Sequence, residues 1–255
     1  MSSTVAIVTG GSRGIGAAVV RRLAAAGHHV LLVYSQDDHD AAVTAEHCTT
    51  ETAKVVPYKC DIAAPGSAEV VFDGAAQLGV PVILVNNAGV TGRTSSLADS
   101  DADAISHAVD VDLTATILLC REAVIRWTDA GRARQRSIVN LSSVAAKTES
   151  PGEYVWYAAA KAGVNALTVG LAVEAAPHGI RVNAVSPGTT VTTIHARAGR
   201  PDRATEVRAR SPMGDPLNQR RSLLLSSGSS APRPVTSTVR SSTSPEERDE
   251  PRISP

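Results

Sequence analysis

The sequence predicts an α/β protein built on a doubly wound parallel β-sheet with helices on both faces. Three observations lead there. From Thr4 to about Val185, short runs rich in Val, Ile and Leu alternate with longer Ala-rich stretches, the pattern of repeated βαβ units. The short runs are apolar almost throughout, as strands covered on both sides must be. Hydrophobic residues make up 43% of the 255, enough for one large core, and with aromatics at only 3% that core must be mostly Ala, Val, Leu and Ile.

In chain order the predicted strands are Val5–Thr9, His29–Tyr34, Lys54–Tyr58, Val82–Asn86, Ser137–Leu141 and Arg181–Val185. Each is short and apolar with β-branched residues, which suit a buried pleated surface. Helices are predicted at Gly14–Ala26, Ala41–Cys48, Ser67–Gln77, Ala104–Ala130 and Tyr157–Ala176. There is no internal repeat. Residues 216–255 differ in kind: they hold ten Ser, six Pro and six Arg, no aromatic, and one apolar run, Leu223–Leu225. Such a segment buries little and is expected to be largely disordered. The predicted organisation is one domain over 1–214 and a Ser/Pro/Arg-rich tail over 215–255.

Twenty-five basic residues balance 25 acidic ones, so no global field favours nucleic acid or anionic lipid as a partner. Cys48, Cys60 and Cys120 are odd in number and lack C-x-x-C spacing, which fits neither a disulfide framework nor a thiolate metal site. The seven histidines show no metal-ligand spacing, so no metal is expected. No apolar run reaches the length of a membrane span, and MSSTVAIVTG does not read as a signal peptide. A soluble cytoplasmic protein is the expectation.

After the first predicted strand comes Thr9-Gly10-Gly11-Ser12-Arg13-Gly14-Ile15-Gly16. Glycines allow a sharp turn and close backbone approach to a phosphate, and the helix that follows offers free N–H groups and a positive dipole end. A glycine turn alone also fits a plain strand–helix connection; its place in the first βαβ unit favours a dinucleotide site. Three more motifs follow in order: Asn86-Asn87-Ala88-Gly89 after the fourth strand, Ser143 followed by Tyr157-Ala-Ala-Ala-Lys161, and Pro187-Gly188 after the sixth. Together they resemble the short-chain dehydrogenase/reductase family, in its compact single-domain branch, over about residues 4–214. The resemblance implies a Rossmann-type fold, a nicotinamide cofactor, and reversible hydride transfer between a carbonyl and an alcohol.

Tyr157 and Lys161 stand at i and i+4 and share one helix face. A lysine ammonium close to a phenol is expected to lower its pKa from about 10, making Tyr157 a usable general acid/base. The resemblance implies that Ser143 hydrogen-bonds the substrate oxygen, Tyr157 transfers the proton, and Lys161 also holds the nicotinamide ribose. Ser142 competes for the serine role, but Ser143 directly precedes the small apolar residues Val144-Ala145-Ala146. Tyr154 competes for the phenol role but has Ala158, not lysine, four residues on. One departure stands out: many relatives carry an asparagine supporting a water relay to the lysine where this chain has Asp112. An ionised carboxylate accepts hydrogen bonds but donates none, so a slower or pH-shifted enzyme is expected.

The expected cofactor contacts are Gly10, Ser12, Arg13, Gly14, Ile15, Gly16, Tyr34, Asp61, Ile62, Asn87, Ala88, Gly89, Tyr157, Lys161, Pro187, Gly188 and Thr192. The second strand ends Val33-Tyr34-Ser35-Gln36 with no carboxylate until Asp37, where NAD-preferring relatives usually place an acid. Arg13 could pair with a 2′-phosphate. NADP(H) is therefore expected over NAD(H). The expected partners are a small carbonyl or alcohol and a second copy of the chain, joined through helices 104–130 and 157–176. Two other readings stay open: a cofactor-binding pseudoenzyme, and a non-enzymatic cofactor-sensing interaction protein.

Relatives continue past Gly214 with one more helix and a final strand. Here the tail can be back-translated so that a shifted frame reads QPEEVAAAVLWLL and then SSEAGYVNGTFIDVAGG, both like that missing piece. The expectation is a frameshift near Gly214, a sheet lacking its last strand, and a face lacking one covering helix.

Overall fold

A computed structural model describes residues 3–130, 135–188, 198–200 and 202, with the backbone of 239–241. Six strands lie in one parallel sheet: β1 (Thr4–Thr9), β2 (His29–Tyr34), β3 (Val55–Lys59), β4 (Val80–Asn86), β5 (Arg136–Leu141) and β6 (Ile180–Ser186). The strand order is β3-β2-β1-β4-β5-β6 followed by β7 (Val239–Ser241). The chain winds outward from β1 in one direction and from β4 in the other, so the order reverses between them. In such sheets ligands bind at that reversal, beyond the carboxyl ends of the strands.

Six strands form the body of the sheet as expected, with a three-residue β7 added at the β6 edge. β7 pairs in parallel with Ala184–Ser186, and so covers only the C-terminal end of β6. The rest of the tail lies outside the described residues, as do the frameshift expectation and Thr192.

The helices are α1 (Gly14–Ala25), α2 (Asp38–Cys48), α3 (Ser67–Leu78), α4 (Ala102–Val109), α5 (Ala115–Asp129), α6 (Ala145–Thr148) and α7 (Val155–Ala175). Alternation along the strands separates two core layers, because successive side chains face opposite sides of a sheet. Val5 and Ile7 of β1 join Phe72 of α3, Leu119 and Trp127 of α5, and Leu171 of α7. Ala6 and Val8 join Val20 and Ala24 of α1 and Ala41 and Ala45 of α2. Aliphatic residues fill most of both layers, with Phe72 and Trp127 meeting edge to face at 6.2 Å.

Beside α1 the second face is open over β4, β5 and β6. A groove of about 420 Å³ lies there, lined by Val19 and Leu23 of α1, Val82, Val139, Leu141 and Val185 of the strands, and Arg22 and Arg181. No helix of the described residues covers it. None of their helices is long and apolar enough to cross a membrane, and all three cysteines are free thiols.

The predicted helix 104–130 divides in the structure. Between α4 and α5 the backbone makes a π-helical turn at Asp110–Thr114. Wide turns of this kind concentrate at functional sites, and this one carries Asp112.

Candidate active site

The carboxyl ends of β1 to β6 deliver their following loops to one cleft of about 950 Å³. Its first wall is the glycine loop. Gly10 has φ +63°, a left-handed conformation, and a Cβ there would stand 2.9 Å from the Cα of Ala88. A Cβ on Gly16 would collide with the carbonyl oxygen of Gly10. The loop therefore presses against both the first turn of α1 and the β4 loop with no room for side chains. Arg13, at the start of α1, provides no side-chain cap, which leaves the helix N–H groups available to an anion.

Asn87 holds this loop. Its side-chain amide donates to the carbonyls of Thr9 and Gly10, both at 2.9 Å. The Thr9 hydroxyl accepts from the backbone N–H of Asn87 and Ala88 at 3.0 and 3.1 Å. The motif after β4 thus works as a latch on the motif after β1, a relation between distant residues that neither motif reveals alone. Gly10, Ser12, Arg13, Gly14, Ile15, Gly16, Tyr34, Asp61, Ile62, Asn87, Ala88, Gly89, Tyr157, Lys161, Pro187 and Gly188 all line the cleft. Of the expected contacts, only Thr192 is not described.

At the end of β2, Ser35 and Gln36 line the cleft and Asp37 does not. Asp37 pairs instead with Arg13 at 2.5 Å, and Asp40 approaches the same guanidinium at 3.5 Å. The charge expected to be available for a 2′-phosphate is thus already shared with two partly exposed carboxylates.

The opposite wall carries the reactive groups. β5 ends at Leu141, and Ser142 and Ser143 follow it. The Ser142 hydroxyl is buried and donates to the backbone carbonyl of Lys161 at 3.1 Å, tying β5 to α7. Ser143 is less buried, and its hydroxyl accepts from the N–H of Ala145 at 3.1 Å and meets Tyr157. This division separates the two rival serines: one fastens a helix, the other faces the phenol. Tyr154, the rival phenol, packs edge to face on Tyr157 with ring centres 5.6 Å apart. Trp156 donates its indole N–H to the carbonyl of Thr91 at 2.9 Å. These contacts fix the first turn of α7.

Lys161 is buried, with Nζ 5.6 Å from the centre of the Tyr157 ring. It lies 2.9 Å from Oδ1 of Asp112 and donates to the carbonyl of Leu141 at 2.9 Å. Asp112 is fully buried, and its other oxygen accepts from the N–H of Val90 at 3.0 Å. Gly89 makes room for it, since a Cβ there would lie 2.5 Å from Oδ1. The π-helical turn, Gly89 and Val90 together seat a carboxylate directly on the lysine.

Burial, with Asp112 adding to it, corrects the expected tyrosine pKa. Burial raises the Tyr157 phenol above its ordinary 10.0, Lys161 and the Ser143 hydrogen bond oppose it, and Asp112 and Tyr154 add to the rise. The net direction is upward, because burial of the phenol, with Asp112 adding to it, outweighs the pull of Lys161 and Ser143. Burial would by itself lower the Lys161 pKa, but the Asp112 and Tyr157 charges overcome it and hold the ammonium above its ordinary range. Asp112 is itself pushed up by burial against the pull of Lys161 and the Val90 N–H.

Thr91, Gly92, Arg93, His107, Thr148 and Ser150 also line the cleft. None belongs to a motif; His107 lies in α4 and Thr148 ends α6, and the others are in loops.

Comparison with known proteins agrees with the fold. The family model for short chain dehydrogenases matches residues 4–203. The uncharacterized oxidoreductase YgfF of Escherichia coli (strain K12) is 39% identical over 210 residues, 82% of this chain and 85% of that protein. A 3beta-hydroxysteroid dehydrogenase 1 of Eggerthella lenta is 36% identical over 192 residues, covering 74% and 72% of the two chains. A crystal structure of 3-ketoacyl-(acyl-carrier-protein) reductase from Brucella melitensis complexed with NADH superposes with a TM-score of 0.78 at 26% identity, covering 88% of this chain and 89% of that one. With its parallel sheet, glycine loop and Ser-Tyr-Lys cluster, the chain is a member of the short-chain dehydrogenase/reductase family of oxidoreductases.

Proposed function

We propose that this protein reduces a small carbonyl compound with NADP(H), and oxidises the corresponding alcohol in reverse. The observation that carries the reading is the meeting of Ser143, Tyr157 and Lys161 at one wall of a cleft whose other wall is the latched glycine loop. When bound, the nicotinamide ring supplies or accepts the hydride. The glycine loop and α1 N-terminus hold the cofactor's phosphates, Asp61 and Ile62 its adenine, and Lys161 its nicotinamide ribose. Ser143 donates a hydrogen bond to the substrate oxygen. In reduction the Tyr157 hydroxyl gives its proton to that oxygen; in oxidation the phenolate takes it back. A phenol held above its ordinary pKa is protonated at neutral pH, which favours reduction there. Asp112 is a positioning residue that orients and restrains Lys161.

NADP(H) preference rests on the absence of a carboxylate among the described lining residues at the end of β2 and on Arg13. Because Arg13 is already shared with Asp37 and Asp40, the preference in kcat/KM should be modest, about tenfold rather than a thousandfold. The protein is further proposed to be a homodimer of the reducing cytoplasm. Ile117, Leu118 and Ile125 of α5 and Val169 and Val173 of α7 are exposed apolar residues on the helices expected at the interface, and such patches mark association surfaces. Light scattering that gives the mass of one chain sinks the dimer.

The test is NADPH oxidation followed with a panel of aldehydes and ketones, comparing the protein with Tyr157→Phe. Turnover that falls about 10²- to 10⁴-fold in the variant is expected. Cofactor binding without turnover by either protein would instead identify a pseudoenzyme.

A further inference from the structure

The substrate end of the cleft has an unbalanced charge. Among the described lining residues Asp61 is the one carboxylate, and it follows β3 at the far end of the sheet from β5. Asp112 lies behind Lys161 and is taken up by it. The cleft that holds Tyr157 is also lined by Arg93, which is exposed, by His107, and by Thr148 and Ser150. Arg93 has no ion pair or hydrogen bond among the described residues, whereas Arg13, Arg126 and Arg200 each meet a carboxylate.

Arg93 also sits on a segment fixed at both sides. Before it, the Thr91 carbonyl accepts from Trp156, the residue preceding Tyr157. After it, the N–H and hydroxyl of Thr94 both donate to the Ala198 carbonyl, at 3.2 and 3.3 Å. The Ser95 N–H donates to the Glu153 carbonyl at 2.9 Å, joining this loop to the one that bears Ser150. Ser150 is buried and adopts φ +47°, next to Glu149 at +60°. Backbone held in that region by non-glycine residues is strained and persists where the surroundings impose it. An arginine anchored this way reaches the cleft from a base with little freedom, so less ordering is needed when it grips a ligand.

We propose that Arg93 is a specificity-determining residue and that the substrate is an anionic carbonyl compound, bearing a carboxylate, sulfonate or phosphate away from the reacting carbon. This deepens the oxidoreductase reading and rests on it. The guanidinium takes the anion in a forked, charge-assisted pair, and the carbonyl is thereby directed to Ser143 and Tyr157. His107, Thr148 and Ser150 add polar side chains to the same lining.

The experiment compares 4-formylbenzoate with its neutral methyl ester, at fixed NADPH, for the protein, Arg93→Gln and Arg93→Lys. The ratio of kcat/KM for acid over ester is expected to exceed ten and to fall at least tenfold in Arg93→Gln. Arg93→Lys should recover part of the ratio. A ratio near one, or one that Arg93→Gln leaves in place, overturns the proposal. So does a variant that loses NADPH affinity while keeping the ratio, since the guanidinium then serves the cofactor. Binding is read separately with NADPH-loaded Tyr157→Phe, by the change in nicotinamide fluorescence as 4-formylbenzoate is added. Loss of that response when Arg93→Gln is combined with Tyr157→Phe supports the anion site even if no carbonyl is turned over. No response in either protein overturns it. Turnover of the ester without preference for the acid defeats this inference alone, whereas absent turnover of both compounds counts against the catalytic reading.

Discussion

Asp112→Asn keeps the side chain's shape and its hydrogen bond from Val90, because an amide oxygen still accepts, and removes one buried negative charge. Two unit charges at the 2.9 Å separating Asp112 from Lys161 attract by about 6 kcal/mol at an effective dielectric constant of about 20, before desolvation is set against it. Removing one member of such a pair leaves the other unpaired and typically costs about 3–5 kcal/mol. Lys161 keeps its bond to the Leu141 carbonyl, so the lower end, about 3 kcal/mol in urea unfolding, is expected. The kinetic effect runs the other way. Asp112 opposes ionisation of Tyr157; its Oδ1 lies 2.9 Å from a Lys161 Nζ that is itself 5.6 Å from the ring centre, and a charge within that summed reach at the same dielectric constant is worth about 2 kcal/mol or more. Allowing for solvent in the open cleft, phenolate formation should become about tenfold easier in the variant. The assay is alcohol oxidation followed from pH 7 to 10.5 for both proteins, each scaled to its own plateau. The limb that rises with pH should move to lower pH in Asp112→Asn. A limb that stays in place, or moves upward, refutes the assignment of Asp112 as the brake on Lys161.

Gly16→Ala places a methyl group against the Gly10 carbonyl, so the loop must open. NADPH affinity measured by fluorescence should fall by at least about 10²-fold, since misplacing pre-aligned donors forfeits several charge-assisted bonds. An alkaline loss of stability is expected from Cys120, whose buried thiol is pushed up from 9.0 to about 12. Below pH 9 its protonation is the same in folded and unfolded chains; between about 9 and 12 only the unfolded chain ionises, so stability falls as pH rises, by up to about 4 kcal/mol. Cys120→Ala should flatten that slope in chemical unfolding at pH 8 to 11. Asp37→Asn frees Arg13 from its 2.5 Å partner, and should raise the NADPH-over-NADH ratio of kcat/KM about three- to tenfold, the range of one partly exposed charge contact.

Much of the fold was legible because buried parallel strands must be apolar on both faces, and six such runs are present. Their ends were not, since Val80 is placed in β4 by pairing with Thr4, a partner far away in the chain. The proposed catalytic cluster was legible for a similarly local reason: Tyr157 and Lys161 share a helix face, and Ser143 follows closely on a strand. What escaped was the charge state. Asp112 stood out as a departure from the family, but its direct seat on Lys161 depends on the π-helical turn, on Gly89 and on Val90, which no run of neighbouring residues encodes. The expected fall in the Tyr157 pKa became a rise chiefly because the phenol is buried, with Asp112 adding to it. Arg13 was legible in part: its charge and its place in the glycine loop were visible, and its pairing with Asp37 and Asp40 needed the fold. Arg93 belongs to no motif, and an arginine in a polar loop is ordinarily solvated; it is exposed here too, and its place in the cleft lining is what sets it apart.

The central claim is that Tyr157 passes the proton while a nicotinamide passes the hydride. The most direct measurement is the single-turnover rate of NADPH oxidation with an aldehyde substrate, in the protein and in Tyr157→Phe, with NADPH binding measured in both. The account predicts a rate lower by about 10²- to 10⁴-fold at closely similar NADPH affinity. An equal rate in the two proteins, with the cofactor bound, would contradict it.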